Sequence, residues 1–145
     1  MMNRLVLLLA AMLALASAYA DGPSVRASHV WIRVSPPGVG VDAGYLTLEN
    51  LTGKPLSLDK VSSPDFESVM IHQSIEKGGV ESMQEFPELA LPSKGTVDFK
   101  PGGYHLMLMH PRKNLFPGDT VTLMLSFSDG SELAILAPVR RDAPP

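Results

Sequence analysis

The chain has 145 residues, 45% of them hydrophobic, and a net charge of −3, enough material for one domain with a sizeable core. A mildly acidic chain lacks the basic footprint that nucleic acid or an anionic membrane surface requires, which argues against both as partners. It contains no cysteine, which excludes disulfides, thiol catalysis and a blue-copper centre built on a thiolate.

In chain order, Met1-Met2-Asn3-Arg4 is a short basic start and Leu5 to Ala16 an uncharged apolar run. Ala18-Tyr19-Ala20 then fits the small-x-small rule for signal peptidase. Residues 1–20 therefore read as a secretory signal peptide cleaved after Ala20, or after Ala18 as a variant, with residues 21–145 as the mature domain. The competing reading is a membrane anchor, but the run is shorter than the ~20 apolar residues a span needs. Cleavage removes one base, Arg4, and takes the net charge from −3 to −4.

Val25 to Val34 alternates, with Val30, Ile32 and Val34 on one face and His29, Trp31 and Arg33 on the other, as a strand does. Trp31 is expected in the core. Ser35 to Gly40 is a Pro/Gly loop, Ala43 to Asn50 a second strand, and Leu56 to Val61 a third. Phe66 to Ile75 follows, with Val69 and Ile71 facing one way and Met70, His72 and Ser74 the other. Glu76-Lys77-Gly78-Gly79 connects it as a hairpin to Val80–Phe86, which carries Met83. Pro87 to Gly95 reads as irregular, and Thr96 to Phe99 as a short strand. Tyr104 to His110 alternates again: Leu106 and Leu108 point one way, His105, Met107 and Met109 the other, and Pro111 ends the run. Thr120–Ser128 and Ser131–Val139 form a last hairpin across Asp129-Gly130. About nine short strands at this spacing, with no helical period in the mature chain, predict an all-β domain, a single antiparallel sandwich or barrel.

Four residues stand out as metal ligands: His72, Met83, His105 and Met107. Ten residues separate the first pair, twenty-one the next and one the last. His105 and Met107 share a strand face about 7 Å apart at Cα, and the hairpin can bring His72 and Met83 close. Thioethers favour Cu(I), and imidazole accepts copper in either oxidation state. Zinc prefers thiolate, imidazole and carboxylate, while calcium and magnesium want oxygen. A neutral set of two imidazoles and two thioethers suits carriage and hand-over of Cu(I). The bland reading is that a strand Met fills a core and a lone His is a hydrogen-bonded side chain. Asp65, Glu67, Glu81 and Glu85 read as a solvated rim or as a docking patch for a basic partner. No G-x-S-x-G, P-loop or H-E-x-x-H is present.

The spacing from His72 through Met83 and His105 to Met107 resembles the motif of the periplasmic PCu(A)C copper chaperones. Further resemblance lies in Trp31-Ile32-Arg33 with Pro36-Pro37, in Ala43 to Asn50, in Pro101 to Leu108 and in Gly118-Asp119-Thr120-Val121, so that it covers the mature chain. It implies a cupredoxin-like (Ig-like) β-fold that binds Cu(I) through His72, Met83, His105 and Met107. It also implies a non-enzymatic periplasmic monomer that delivers copper toward the CuA centre of cytochrome c oxidase subunit II, alongside a Sco-type or thioredoxin-like partner. Two departures are visible. Met109 is followed by His110-Pro111 where relatives often carry glycine; His110 is expected to face away from His105 unless the proline twists the strand end. The chain ends Arg140 to Pro145 without the family's Met- and His-rich tail, so a second copper site of that kind is not expected. Met70 and Met109 share the ligand faces, as spare or entry ligands or, in the bland reading, as shields that keep water from the site. The rival readings are an electron-transfer cupredoxin, disfavoured by the missing cysteine, and a metal-free periplasmic sandwich that binds a protein or peptide at a sheet edge.

Overall fold

The computed structural model describes residues 22–145, so the expected signal peptide lies outside the described residues. Ten strands are formed: β1 (Val25–Arg33), β2 (Val41–Asn50), β3 (Leu56–Ser62), β4 (Phe66–Lys77), β5 (Val80–Phe86), β6 (Leu89–Leu91), β7 (Thr96–Phe99), β8 (Tyr104–Pro111), β9 (Thr120–Phe127) and β10 (Glu132–Arg140). The described residues contain no helix.

Hydrogen-bonded neighbours follow one order, β5-β4-β8-β7-β2-β1-β10-β9-β3-β6. The four-residue β7 pairs with β2 from Leu46 to Glu49, and β8 takes over that edge from Val41 to Gly44. The order folds back on itself, with β3 against β4 and β2 against β6. One core joins the inner faces: Leu46, Leu48, Leu106 and Leu108 from one half meet Leu58, Leu123 and Leu125 from the other. Strand alternation puts these leucines inward at every second position, and their apolar burial is the main stabilising term. β5 and β6 remain edges, so the architecture is an open sandwich and not a closed barrel.

The expectation of nine antiparallel strands needs two corrections. β6 is a tenth strand, formed by Leu89-Ala90-Leu91 inside the segment read as irregular. It pairs with β3, Leu56 to Leu91 and Leu58 to Leu89, and buries both of its leucines. The sheet is also mixed. β1 runs parallel to β10 at Ile32–Val139 and Arg33–Arg140, and β7 parallel to β8 at Phe99–Tyr104.

Asn50 explains how β6 is held. Its side chain is fully buried, and its amide nitrogen donates to Lys54 O (2.8 Å) and Leu91 O (3.0 Å). Its Oδ1 accepts from Thr52 N (2.9 Å) and Thr52 Oγ1 (2.7 Å). Both donors and the acceptor capacity of the amide are thus used, which is what makes its burial tolerable.

β1 switches faces midway. Its register with β2 slips between Ser28 and Trp31, and His29 in the slip has φ 51°. Such a bulge lets Val25 before it and Ile32 after it both point inward despite their odd spacing. Trp31 is consequently turned outward. It is buried, yet it sits outside the main core, packed on Tyr45 with ring centroids 4.8 Å apart. The Arg33 guanidinium lies 5.4 Å from the Trp31 ring centroid and 5.8 Å from that of Tyr45. A cation over two aromatic faces covers this outer cluster.

Candidate metal centre

The outer face of β4, β5 and β8 carries the candidate ligands. β8 alternates as its sequence requires: Leu106 and Leu108 are fully buried in the core, while His105, Met107 and Met109 lie on the opposite face. β4 pairs with β8 so that His72 stands directly across from His105, and Met70 directly across from Met107. Directly opposed residues share a face, with Cβ atoms about 4.5–5.5 Å apart. The two imidazoles meet edge-on, with ring centroids 6.0 Å apart.

Met83 is on the same face but not opposite His72. Gly78 and Gly79 both have positive φ (63° and 79°), as a two-residue type I′ hairpin loop requires. That loop pairs Lys77 with Val80, and counting back places Ser74 opposite Met83 and His72 opposite Glu85. Met83 therefore lies on the diagonal from His72, a Cα separation of roughly 7–8 Å that a long flexible side chain can bridge. It is also the open end of the group, 61% exposed, whereas His105 is buried.

The two histidines differ in their surroundings. The Nδ1 atom of His105 lies 3.1 Å from the Gly103 carbonyl oxygen, which also accepts from Ser74 N at 3.2 Å. A carbonyl can only accept, so Nδ1 carries the proton and Nε2 of the neutral ring keeps its lone pair for a ligand. A backbone acceptor fixing the far nitrogen is the usual support of a metal-bound imidazole. Both ring nitrogens of His72 are buried with no hydrogen-bond partner among the described residues. Burial, and then the neighbouring His105, push the His72 pKa below its ordinary value, against an upward pull from Glu85. His72 is thus neutral at pH 7, with an unshared electron pair and nothing to receive it.

The residues present fit a soft cation. Among the described residues no three His, Cys, Asp or Glu side chains are grouped to hold a metal ion, so a site here must draw on thioethers. Two imidazoles and two or more thioethers would make a neutral soft donor set, which suits copper better than zinc, calcium or magnesium.

The remaining candidates are placed as follows. Met70 and Met109 are half-buried on the ligand face, Met109 opposite Ser68. His110 has φ 52°, so the strand end is twisted, but its ring turns to Glu67, Nδ1 to Oε2 3.2 Å. Five residues along β8 from His105, about 16 Å, it takes no part in the group. Asp65 is not a rim carboxylate: it accepts from Thr122 N at 3.2 Å and lies 3.5 Å from Lys113 Nζ, tying β4 to β9 and the segment after β8. Glu67, Glu81 and Glu85 are exposed, as a solvated rim would be. Spacing carries no signal for the Gly103 contact, whereas the Met83 offset can be counted from the Gly78-Gly79 loop.

A family profile for LpqE-like lipoproteins matches residues 25–139. A Leifsonia xyli subsp. xyli (strain CTCB07) protein named as a lipoprotein is 31% identical over 122 residues, 83% of this chain and 71% of the relative. A Rickettsia prowazekii (strain Madrid E) protein is 34% identical over 108 residues, 73% of this chain and 59% of the relative. Among solved structures, the copper-bound PCuAC domain of PmoF2 superposes with a TM-score of 0.69 at 28% identity, covering 87% of this chain and 97% of that domain. The Cu(I) form of DR1885 from Deinococcus radiodurans gives 0.65 at 28% identity, covering 91% and 87%.

Proposed function

The chain belongs to the PCu(A)C family, to which the LpqE-like lipoproteins correspond, and from that premise we propose that it is an exported Cu(I) carrier, not an enzyme. His72, Met83, His105 and Met107 are its ligands, and copper is its cargo. One observation carries the reading: two imidazoles stand directly opposed on a sheet face that also bears thioethers, and one of them, His72, has both ring nitrogens buried without a hydrogen-bond partner among the described residues. A core filler or an ordinary structural histidine has no reason to be left so. That PmoF2 and DR1885 are described with copper bound supports the same assignment.

The arrangement suits release by stepwise exchange. Met83 is the exposed ligand on an edge strand, so an incoming partner ligand meets it first. Thioethers are weak, neutral donors, and replacing one leaves the ion's charge intact. His105, buried and braced by Gly103, lets go last. The ion keeps its oxidation state throughout; only Cu–S and Cu–N bonds are exchanged. We assign residues 1–20 to export and the mature domain to the periplasm, in keeping with the lipoprotein names of its relatives. The acceptor proposed is the CuA domain of cytochrome c oxidase subunit II, reached directly or through a Sco-type or thioredoxin-like partner.

Competition for Cu(I) against a chromophoric chelator under nitrogen tests the assignment. The mature protein should withhold one equivalent, and His105→Ala with Met107→Ala should surrender it. Equal retention by parent and variant would show that the ligands are wrongly assigned.

A further inference from the structure

Four thioethers lie on the ligand face, Met70, Met83, Met107 and Met109, more than four-coordinate Cu(I) needs beside two imidazoles. Met70 stands directly opposite Met107, and Met109 is the next residue on the same face of β8. All three are half-buried, so none is taken up by the core. The flanking strand offers only Ala43 beside Met107 and Val41 beside Met109, and β4 offers Ser68. Nothing in this ring competes for a hard cation.

A second, separate feature points to Met70. β5 stops pairing with β4 at Ile71–Phe86, so the β4 edge from Phe66 to Met70 has no strand on that side. A cleft of about 370 Å³ opens there, and Met70 lines it together with Asp59, Glu67 and Glu85, with Lys60 the single base. Carboxylates around a narrow opening raise the local concentration of cations. A thioether in its wall then offers a soft donor to an ion drawn in by hard charges.

We propose that Met70, Met107 and Met109 form an all-sulfur entry position for Cu(I), reached through this acidic cleft and handing the ion to His72 and His105. Met107 belongs to both positions, so transfer exchanges the Met70 and Met109 sulfurs for the two imidazole nitrogens and the Met83 sulfur, without change of oxidation state. The inference rests on the carrier reading above and adds to it a loading site and a direction of travel.

The test uses the mature protein, Cu(I) supplied as its bicinchoninate complex, and X-ray absorption of the bound ion. The variant His72→Ala with His105→Ala should still hold Cu(I), more weakly and in a sulfur-only shell. Adding Met70→Leu and Met109→Leu should abolish that residual binding. In the otherwise parental chain the same two leucine substitutions, which conserve volume, should slow uptake and leave the final affinity unchanged. An unchanged uptake rate, or a double-histidine variant of native thermal stability that binds no Cu(I), overturns the entry position while the carrier reading stands. A parental protein that withholds no Cu(I) overturns both.

Discussion

His72→Phe should make the copper-free protein more stable and the copper-loaded protein relatively less so. A neutral imidazole has one donor and one acceptor nitrogen, and here both are buried without partners. Each unmade hydrogen bond of a buried group costs about 1–3 kcal/mol. The side chain as a whole is only half-buried, so the low end applies, and fitting a somewhat larger ring returns part of the gain. A net stabilisation of about 1 kcal/mol is expected, a Tm rise of roughly 2–8 °C for domains of this size range. Copper reverses the order. At a free Cu(I) concentration one hundred times its Kd the parent gains ~2.7 kcal/mol from binding the native state, whereas the variant has lost a ligand and gains far less. Thermal unfolding of both proteins, with and without Cu(I) under nitrogen, gives four Tm values that should cross. If the variant is the less stable without copper, His72 has a structural partner and is not held open for a ligand. If both proteins gain equally from Cu(I), His72 does not bind it.

Other outcomes follow from the same geometry. Copper-free stability should rise with pH through the region below ~6.5: the folded pKa of His72 is depressed by burial, so there the unfolded chain binds more protons. That contribution is complete above the unfolded value, is lost as pH falls, and should vanish in His72→Phe when denaturant unfolding is repeated at several pH values. Met83→Leu should leave Tm within error, because the side chain is 61% exposed, yet weaken retention of Cu(I) against a chelator. Asn50→Ala should cost about 2–5 kcal/mol in denaturant unfolding, since the Leu91 carbonyl and the Lys54 carbonyl each lose a donor, the latter keeping only Thr52 Oγ1, and Thr52 N loses its acceptor. Leu108→Ala should cost a similar ~2–5 kcal/mol by opening a cavity behind the ligand face.

Much of this molecule can be read from period two alone. In β8 the alternation of leucine with His105, Met107 and Met109 sets both faces, because a one-residue slip would turn the imidazole into the core and the leucines out of it. The hairpin of β4 and β5 is equally legible, including the Met83 offset, since two consecutive glycines fix the loop at two residues. Other features depend on contacts distant in sequence. β6 is three residues between Pro87 and Pro92, too short for a pattern, and exists because Asn50 and β3 supply its hydrogen bonds. The parallel pairing of β1 with β10 joins opposite ends of the domain and leaves no local trace. Trp31 has a core composition but an outward direction, set by a bulge at His29 that no propensity announces. Within the candidate centre, residue types and spacing point to the ligands, but the state of each imidazole is set by tertiary contacts. Only the fold shows one ring braced by Gly103 and the other left without a partner.

X-ray absorption on the mature protein loaded with one equivalent of Cu(I) tests the central claim most directly. The account predicts a mixed shell of imidazole nitrogen and thioether sulfur that loses its nitrogen component in the His72→Ala, His105→Ala variant. A shell of oxygen and nitrogen without sulfur, or one unaltered by removing both histidines, would contradict it.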